Sequence, residues 1–152
     1  MKDNQQVLVR FYETKNTAAS LNLLCALAEK ADEQNFHKIF TITANETVAK
    51  NIDEALWNYK ADFFFPHALD TAENLERNNA KMIIASQPFY VEEADLLINF
   101  ALDDTNIDFP RNCKKIFEIF QTGSAQVQKQ RIRYKNYQKI GIQVQYSRFN
   151  SK

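Results

Sequence analysis

The sequence predicts an α/β fold, with helices on both sides of a mostly parallel central sheet. Short apolar runs of strand length recur along the chain, and segments with helical apolar spacing separate them. The chain also closes on a run in which apolar and polar residues alternate. Because strands that alternate with helices favour parallel pairing, we expect a sandwich around one sheet. With 3 Pro, 2 Gly and no evident linker, residues 1–152 are expected to form a single domain.

The first half alternates strand and helix signals. β-branched and aromatic residues indicate the strands, and an Asn at the start of an apolar-periodic segment indicates a helix cap. The second helix is expected to bury one stripe of residues: Val48, Ile52, Ala55 and Leu56. The predicted elements are a strand over Val7–Tyr12, a helix from Asn16 or Thr17 to about Gln34, a strand over Lys38–Ile42, a helix capped by Asn45, and an irregular aromatic segment from Tyr59 to Leu69.

The second half continues the pattern with three apolar runs too short for helices. These predict strands at Met82–Ala85, Leu96–Ala101 and Ile116–Phe120. A helix follows, introduced by Gly123 and Ser124 and running to about Lys139. Alternating apolar and polar residues over Ile140–Tyr146 predict a half-buried closing strand.

The predicted order of strands and helices would suit a nucleotide-binding protein. The sequence argues against that function, because it lacks a phosphate loop. Phosphate loops need several glycines, so that the backbone can turn tightly around the anion, and the chain has only Gly123 and Gly141. Two Cys and two His at unsuitable spacing do not predict a zinc site. We therefore expect no cofactor and no metal. Cys25 and Cys113 are expected to be free, buried thiols.

Two residues are candidates for catalysis. His67 could act as a general base beside Asp62 or Asp70, although packing within an aromatic loop is the favoured interpretation. Cys113 lies among Arg111, Lys114 and Lys115, and those cations could lower its pKa. No matching base accompanies it.

Charge is distributed unevenly in a chain whose formal net charge is +0. Residues 1–110 carry 9 Lys or Arg against 18 Asp or Glu, whereas residues 111–152 carry 10 against the single Glu118. The C-terminal third therefore either presents a basic face to an acidic partner or neutralises the rest of the fold. No apolar run approaches the roughly 20 residues that span a bilayer. The first residues, Met1–Gln6, lack an apolar signal segment, so a cytoplasmic location is expected.

Two surfaces are candidate docking sites. Trp57 lies on the helix side opposite Val48, and Phe63-Phe64-Phe65-Pro66-His67 follows soon after it. Exposed aromatic residues dominate protein interfaces, although this loop could instead fold back and cover Trp57.

The second surface is the basic C-terminal helix, on which Val127, Arg131 and Tyr134 share one side. Such a mixture could bind single-stranded nucleic acid or an acidic peptide that ends in an aromatic residue. A solvated basic helix is the alternative.

Two motifs resemble those of the DNA polymerase III chi subunit family. Asp53-Glu54-Ala55-Leu56-Trp57 with Asp62-Phe63-Phe64-Phe65-Pro66-His67 resembles one, and Arg131-Ile132-Arg133-Tyr134-Lys135-Asn136-Tyr137 resembles the other. The resemblance covers nearly the whole chain, although residues 70–115 match in pattern only. It implies a non-catalytic subunit of the polymerase holoenzyme, with an α/β sandwich that lacks a phosphate loop.

The resemblance also implies partners and site residues. The psi subunit of the clamp loader would bind in a heterodimer at Trp57, Phe64, Pro66 and His67, where an accessory helicase could compete. The acidic C-terminal tail of single-stranded DNA-binding protein would bind at Phe120, Val127, Arg131 and Tyr134, so nucleic acid would be bound only indirectly. Val127 replaces a Lys of the family pattern, and Lys129 or Lys135 could supply that charge. Direct single-strand binding by the basic helix and a diverged nucleotide hydrolase using His67 are the alternatives.

Overall fold

The computed structural model describes residues 7–86, 93–100, 102, 107, 112–123 and 125–149. Within those residues strands and helices alternate as predicted, apart from two successive strand-to-strand steps in the second half. The elements in chain order are β1 Leu8–Thr14, α1 Thr17–Glu33, β2 Ile39–Thr43, α2 Glu46–Asn58, β3 His67–Leu69, α3 Asn74–Asn78, β4 Met82–Ala85, β5 Glu93–Phe100, β6 Asn112–Gln121, α4 Gln126–Lys139 and β7 Val144–Arg148.

The strands form one sheet in the order β3-β4-β2-β5-β6-β1-β7. Every pair of neighbouring strands is parallel, which confirms the predicted α/β class. Residues of α1 and α2 form one apolar core with one face of the sheet. Tyr137 of α4 belongs to a second core on the opposite face, with Val9 and Phe11 of β1. The sheet therefore separates two layers of helix, and its β3 and β7 edges lie farthest apart.

Asparagine caps begin both helices of the first half, as predicted. The Asn16 side chain accepts a hydrogen bond from the Ala19 amide at 2.8 Å, and Asn45 accepts one from the Val48 amide at 2.9 Å. Each bond satisfies an amide that has no partner within its own helix.

Two helices end in a left-handed residue. Asn35, with φ of 63°, follows α1, and Gly141, with φ of 84°, follows α4. After α1 the amide of Phe36 donates to the Ala31 carbonyl at 3.0 Å, which turns Phe36 back onto the end of the helix. Gly141 meets no steric penalty at such an angle, because it has no Cβ.

Two predicted boundaries were wrong. The segment from Tyr59 to Leu69 was expected to be irregular, but its last three residues form β3, because the edge of the sheet still offers a pairing partner in β4. The closing strand begins at Val144 rather than Ile140, since the turn at Gly141 comes first and leaves Ile140 exposed. The last helix follows Gly123 as predicted, beginning at Gln126 and ending at Lys139. Predictions that involved Met1–Gln6, Ala101, Arg111 and Ser124 lie outside the described residues.

A buried polar cluster fixes α4 against the sheet. The Glu118 carboxylate of β6 is fully buried. It accepts two bonds from the Arg133 guanidinium, from Nε at 3.0 Å and from Nη2 at 2.6 Å. Tyr137 Oη donates at 2.7 Å and Asn99 Nδ2 at 2.8 Å. A buried carboxylate is stable only when its hydrogen-bond partners are in place. The cluster therefore sets the rotation of α4 about its axis and the side of the helix that faces solvent.

The same cluster alters the acid–base properties of its members. Burial opposes the charge on Arg133, but the attraction and hydrogen bonds of Glu118 outweigh it, so the pKa of the guanidinium is raised. Burial, and then the Glu118 carboxylate, raises the pKa of the Tyr137 hydroxyl well above its ordinary value. Arg133 is thus a charged core residue, and it does not belong to the basic surface expected for this helix.

Candidate functional site

The two catalytic candidates are both buried. The His67 ring is 1% exposed, with Nδ1 2.6 Å from the Phe65 carbonyl and Nε2 3.3 Å from Asp53 Oδ1. Because a carbonyl can only accept, Nδ1 donates there. The neighbouring carboxylate is Asp53 rather than Asp62 or Asp70, and the favoured interpretation of packing within an aromatic loop is confirmed. A ring held and covered in this way is not presented to a substrate.

The lowered pKa that was considered for the Cys113 thiol is not found. Desolvation by burial raises the pKa of this thiol to about 11, and burial raises that of Cys25 to about 12. The Lys114 ammonium is instead 3.4 Å from Asp95. Both thiols are free and buried, as predicted.

We expect these thiols to react slowly in the folded protein. At about pH 8 a thiol reagent should label Cys25 and Cys113 at least about 100-fold more slowly in the native chain than in denaturant, because an exposed thiol with a pKa of about 8.5 is far more ionised. A spectrophotometric thiol assay with and without denaturant measures both rates. Rapid native labelling of either residue would contradict the burial.

Other kinds of site find little support in the described part of the chain. No three side chains of His, Cys, Asp or Glu come together there as potential metal ligands. Nor does any helix within those residues have the length and apolar character needed to cross a bilayer.

The first candidate surface, here called the aromatic surface, comprises Trp57, Phe64, Pro66 and His67. Trp57 is 59% exposed and Phe64 is 75% exposed, so the loop does not cover either side chain. The Trp57 ring packs over His67 with 4.6 Å between ring centroids. Phe65 beneath them is buried whereas Phe64 is exposed, so the three consecutive phenylalanines do not all point inward. The indole is therefore presented to solvent on a supported base.

Stacked rings support this surface from below. Phe65 stacks on His67 with centroids 6.3 Å apart, and Phe63 stacks on Phe65 at 5.4 Å. Tyr59 meets the edge of Phe63 at 5.6 Å. The Pro66 carbonyl accepts from the Lys81 amide at 2.8 Å, which ties the loop to the sheet. Exposed rings held in place lose little conformational freedom on binding, and that favours a partner.

The second candidate surface is a groove of about 550 Å³ between α4 and strands β1, β6 and β7. All four residues predicted for the tail site line it: Phe120, Val127, Arg131 and Tyr134. Phe11 lies at its base, with its ring centroid 5.2 Å from that of Tyr134 and 6.4 Å from that of Phe120. We call this cavity the α4 groove. Its volume is that of a ligand pocket, and its base is apolar.

The rim of the α4 groove is basic. Arg131 and Lys135 are exposed, and within the described residues neither makes an ion pair. Arg148 lies 3.4 Å from Glu13, the one carboxylate among the described lining residues. Of the two lysines considered as substitutes for the charge missing at Val127, Lys135 lines the groove and Lys129 does not.

Sequence reasoning missed several residues of the α4 groove. Phe11, Glu13, Tyr146 and Arg148 come from β1 and β7, whose parallel register sets Phe11 beside Tyr146 and Glu13 beside Arg148. Alternation along each strand places these residues on one face, but only the pairing of β1 with β7 brings them together. Gln130 was also missed. Its side-chain amide donates to the Leu102 carbonyl at 3.3 Å, while its Oε1 is buried without a partner among the described residues.

The two candidate surfaces lie near opposite edges of the sheet. His67 lies on β3 and Phe11 on β1, which are separated by five strand spacings, or about 24 Å. The aromatic surface includes the end of α2, whereas the α4 groove lies on the opposite face. Two partners could therefore bind at the same time, one at each surface.

Comparisons with known proteins agree with this arrangement of elements. The family model described as "DNA polymerase III chi subunit, HolC" matches residues 7–145. A protein of Pseudomonas aeruginosa named DNA polymerase III subunit chi is 28% identical over 139 residues, which are 90% of this chain and 93% of that protein.

Among solved structures, the C-terminal domain of the DEAD-box protein Dbp5 is similar, with a TM-score of 0.63 and 12% identity over 95% of this chain and 91% of that one. At this identity the likeness shows only a shared parallel α/β architecture. The family model, in contrast, spans the aromatic surface, all of the α4 groove except Tyr146 and Arg148, and every strand of the sheet apart from the last three residues of β7. The chain therefore belongs to the DNA polymerase III chi subunit family.

Proposed function

We propose that this chain is a cytoplasmic accessory subunit that links the clamp loader to protein-coated single-stranded DNA. In this proposal it forms a heterodimer with the psi subunit through the aromatic surface. It also binds the acidic C-terminal tail of single-stranded DNA-binding protein in the α4 groove. The observation that carries the proposal is the convergence of Phe120, Val127, Arg131 and Tyr134 on one groove with an apolar base and a basic rim.

The α4 groove suits a peptide that ends in an aromatic residue and carries acidic residues before it. The rings of Phe11, Phe120 and Tyr134 give a closed apolar base, where an aromatic side chain would gain edge and offset contacts. Arg131 and Lys135 at the rim would pair with carboxylates, and a guanidinium can hold a carboxylate through two parallel bonds. The groove therefore offers a partner for each part of such a tail.

The aromatic surface suits an apolar partner face. Trp57 and Phe64 are the most exposed aromatic side chains among the described residues, and both are large enough to anchor an interface. His67 contributes beneath Trp57 by supporting the indole rather than by facing the partner. An accessory helicase that uses the same anchors would compete with psi.

The separation of the two surfaces supports a tethering role. Because they lie near opposite edges of the sheet, psi and the tail would be held at once by one rigid domain. Direct nucleic-acid binding by α4 is less well supported, since Arg133 and Tyr137 of that helix are buried in the core. We propose no catalytic step, because His67 and Cys113 are both covered.

Binding of a tail peptide tests the assignment of the α4 groove. A labelled peptide with an acidic stretch and a C-terminal Phe should bind with an affinity on the order of micromolar. Arg131→Ala should weaken it by about tenfold or more, because a hydrogen-bonded charge pair is lost. Added salt should also weaken binding. Fluorescence anisotropy measures each affinity.

The matched control is Lys139→Ala, which removes an exposed cation from the same helix outside the α4 groove. It should bind the peptide as the unchanged protein does. An equal loss of peptide affinity in both variants would mean that the effect comes from the net charge of the protein rather than from the α4 groove. An Arg131→Ala protein with unchanged affinity would show that the tail binds elsewhere.

A further inference from the structure

A second groove lies on the opposite face of the sheet from α4. It has a volume of about 270 Å³ and runs between the C-terminal half of α1 and strands β1 and β6. Three of its lining residues are cationic and three are aromatic. We call it the α1 groove and define it by Arg10, Tyr12, Lys30, Phe36, Lys115 and Phe117.

The charge of the α1 groove is not compensated within the described residues. Its described lining contains no carboxylate, and Arg10, Lys30 and Lys115 make no ion pair there. The guanidinium of Arg10 donates through Nε to Gln145 Oε1 at 3.1 Å, a neutral partner that leaves the charge unmatched. Convergent cations without counter-charges attract anions strongly in a cleft.

Two acidic side chains on elements that line the groove are already engaged. Asp32, in the last turns of α1, pairs with Lys81. Asp95 accepts backbone hydrogen bonds from His37 and Lys38 and lies 3.4 Å from Lys114. These carboxylates are therefore bound to other groups rather than to the cations of the α1 groove.

Aromatic rings alternate with those cations. The Arg10 guanidinium carbon lies 5.9 Å from the centre of the Tyr12 ring, and Lys115 Nζ lies 5.6 Å from that of Phe36. Phe117 meets Tyr12 edge to face, with centroids 5.4 Å apart. All three rings are partly exposed. A nucleic-acid base can stack on a Tyr or a Phe ring, and a neighbouring cation can strengthen the stacking.

Two of the three cations lie on neighbouring strands. Lys115 of β6 pairs in register with Leu8, and Arg10 is two residues farther along β1. Strand geometry then separates them by about 8 Å. That spacing allows each cation to contact a different phosphate of an extended strand. An acidic peptide with an apolar end is better served by the α4 groove, which is twice as large and closed by rings at its base.

We propose that the α1 groove binds the phosphate backbone of single-stranded nucleic acid, with bases stacked on its partly exposed rings. The inference does not depend on tail binding, because the two grooves lie on opposite faces of the sheet and share no lining residue. Together they would let one chain contact both the coating protein and a short exposed stretch of strand.

Anisotropy of a labelled oligothymidylate tests the proposal on the full chain. Three phosphate contacts predict a slope of about −2 in a plot of log affinity against log salt, or about a 20-fold loss between about 50 and 200 mM salt. Reversing two charges, with Arg10→Glu and Lys115→Glu together, should abolish binding. The matched reversal Lys139→Glu should change it less than about twofold, since that residue lies on α4 across the sheet.

Tail-peptide affinity and thermal unfolding, measured on the same variants, report whether the fold and the α4 groove are intact. If the double reversal does not fold, the neutral pair Arg10→Gln and Lys115→Gln should reduce the salt slope to about −0.7, the value for one contact.

Three outcomes would overturn the proposal. The first is a chain that fails to bind the oligonucleotide at low salt. The second is binding that survives the double reversal but is lost in Arg131→Glu, which would assign it to α4. The third is stronger binding of a polyglutamate peptide than of the oligonucleotide at the same residues, which would identify an acidic protein segment as the occupant.

Discussion

Replacing Glu118 with Ala should lower the free energy of unfolding by about 3–5 kcal/mol. The change leaves the Arg133 guanidinium buried without its counter-charge, and it also removes the acceptor of Tyr137 Oη and Asn99 Nδ2. Each buried donor left without a partner adds a desolvation penalty. Urea denaturation followed by circular dichroism measures the loss.

An exposed pair provides the matched control. Glu93→Ala removes a carboxylate that pairs with Lys38 at the surface, where such pairs contribute at most about 1 kcal/mol. The double change Glu118→Leu with Arg133→Met should recover most of the stability, because apolar groups of similar volume replace both charges. If Glu118→Ala cost no more than Glu93→Ala, the Glu118 carboxylate would not be buried with Arg133.

The buried cluster also links stability to the proposed function. Arg131 and Tyr134 lie on the same helix as Arg133 and Tyr137, but on the side turned toward the α4 groove. Any rotation of α4 that follows the loss of the Glu118 carboxylate would move those side chains away from Phe11 and Phe120. We therefore attribute the shape of the groove to the cluster behind it.

The parts of the fold that could be predicted were those determined by residues close together in the sequence. Helix caps at Asn16 and Asn45 depend on residues within three positions, and both were found. Apolar runs such as Met82–Ala85 have strand length and were found as strands. Three-residue β3 could not be predicted, because its pairing with β4 rather than its own composition makes it a strand.

The candidate site shows the same division. The side of α4 that carries Val127, Arg131 and Tyr134 follows from helical spacing, and these residues do share one groove. The inward direction of Arg133 could not be predicted, because its partner Glu118 lies on β6 and nothing local marks the pair. Glu118 was visible in the sequence as the single acid of a basic region, and the fold explains it as an internal counter-charge.

Replacing Trp57 with Ala should weaken binding of psi by about 2–4 kcal/mol, or roughly 30- to 1000-fold. The indole is exposed in the free chain and lies on the supporting ring of His67. Psi could therefore bury the apolar area of the indole at little cost in side-chain conformational entropy. Phe64→Ala should have an effect of the same kind, because it is the other exposed ring of this surface. Isothermal titration with purified psi measures both.

Ile132→Ala is the matched control, since Ile132 is another exposed large apolar residue but lies on α4. It should bind psi normally, and Trp57→Ala should bind the tail peptide normally, because the two surfaces lie near opposite edges of the sheet. The chain has one Trp, so its fluorescence should shift to shorter wavelength as psi removes water from the indole. Loss of psi and tail binding together in Trp57→Ala would indicate a damaged fold. Unchanged psi affinity with no fluorescence shift would place the psi interface away from the aromatic surface.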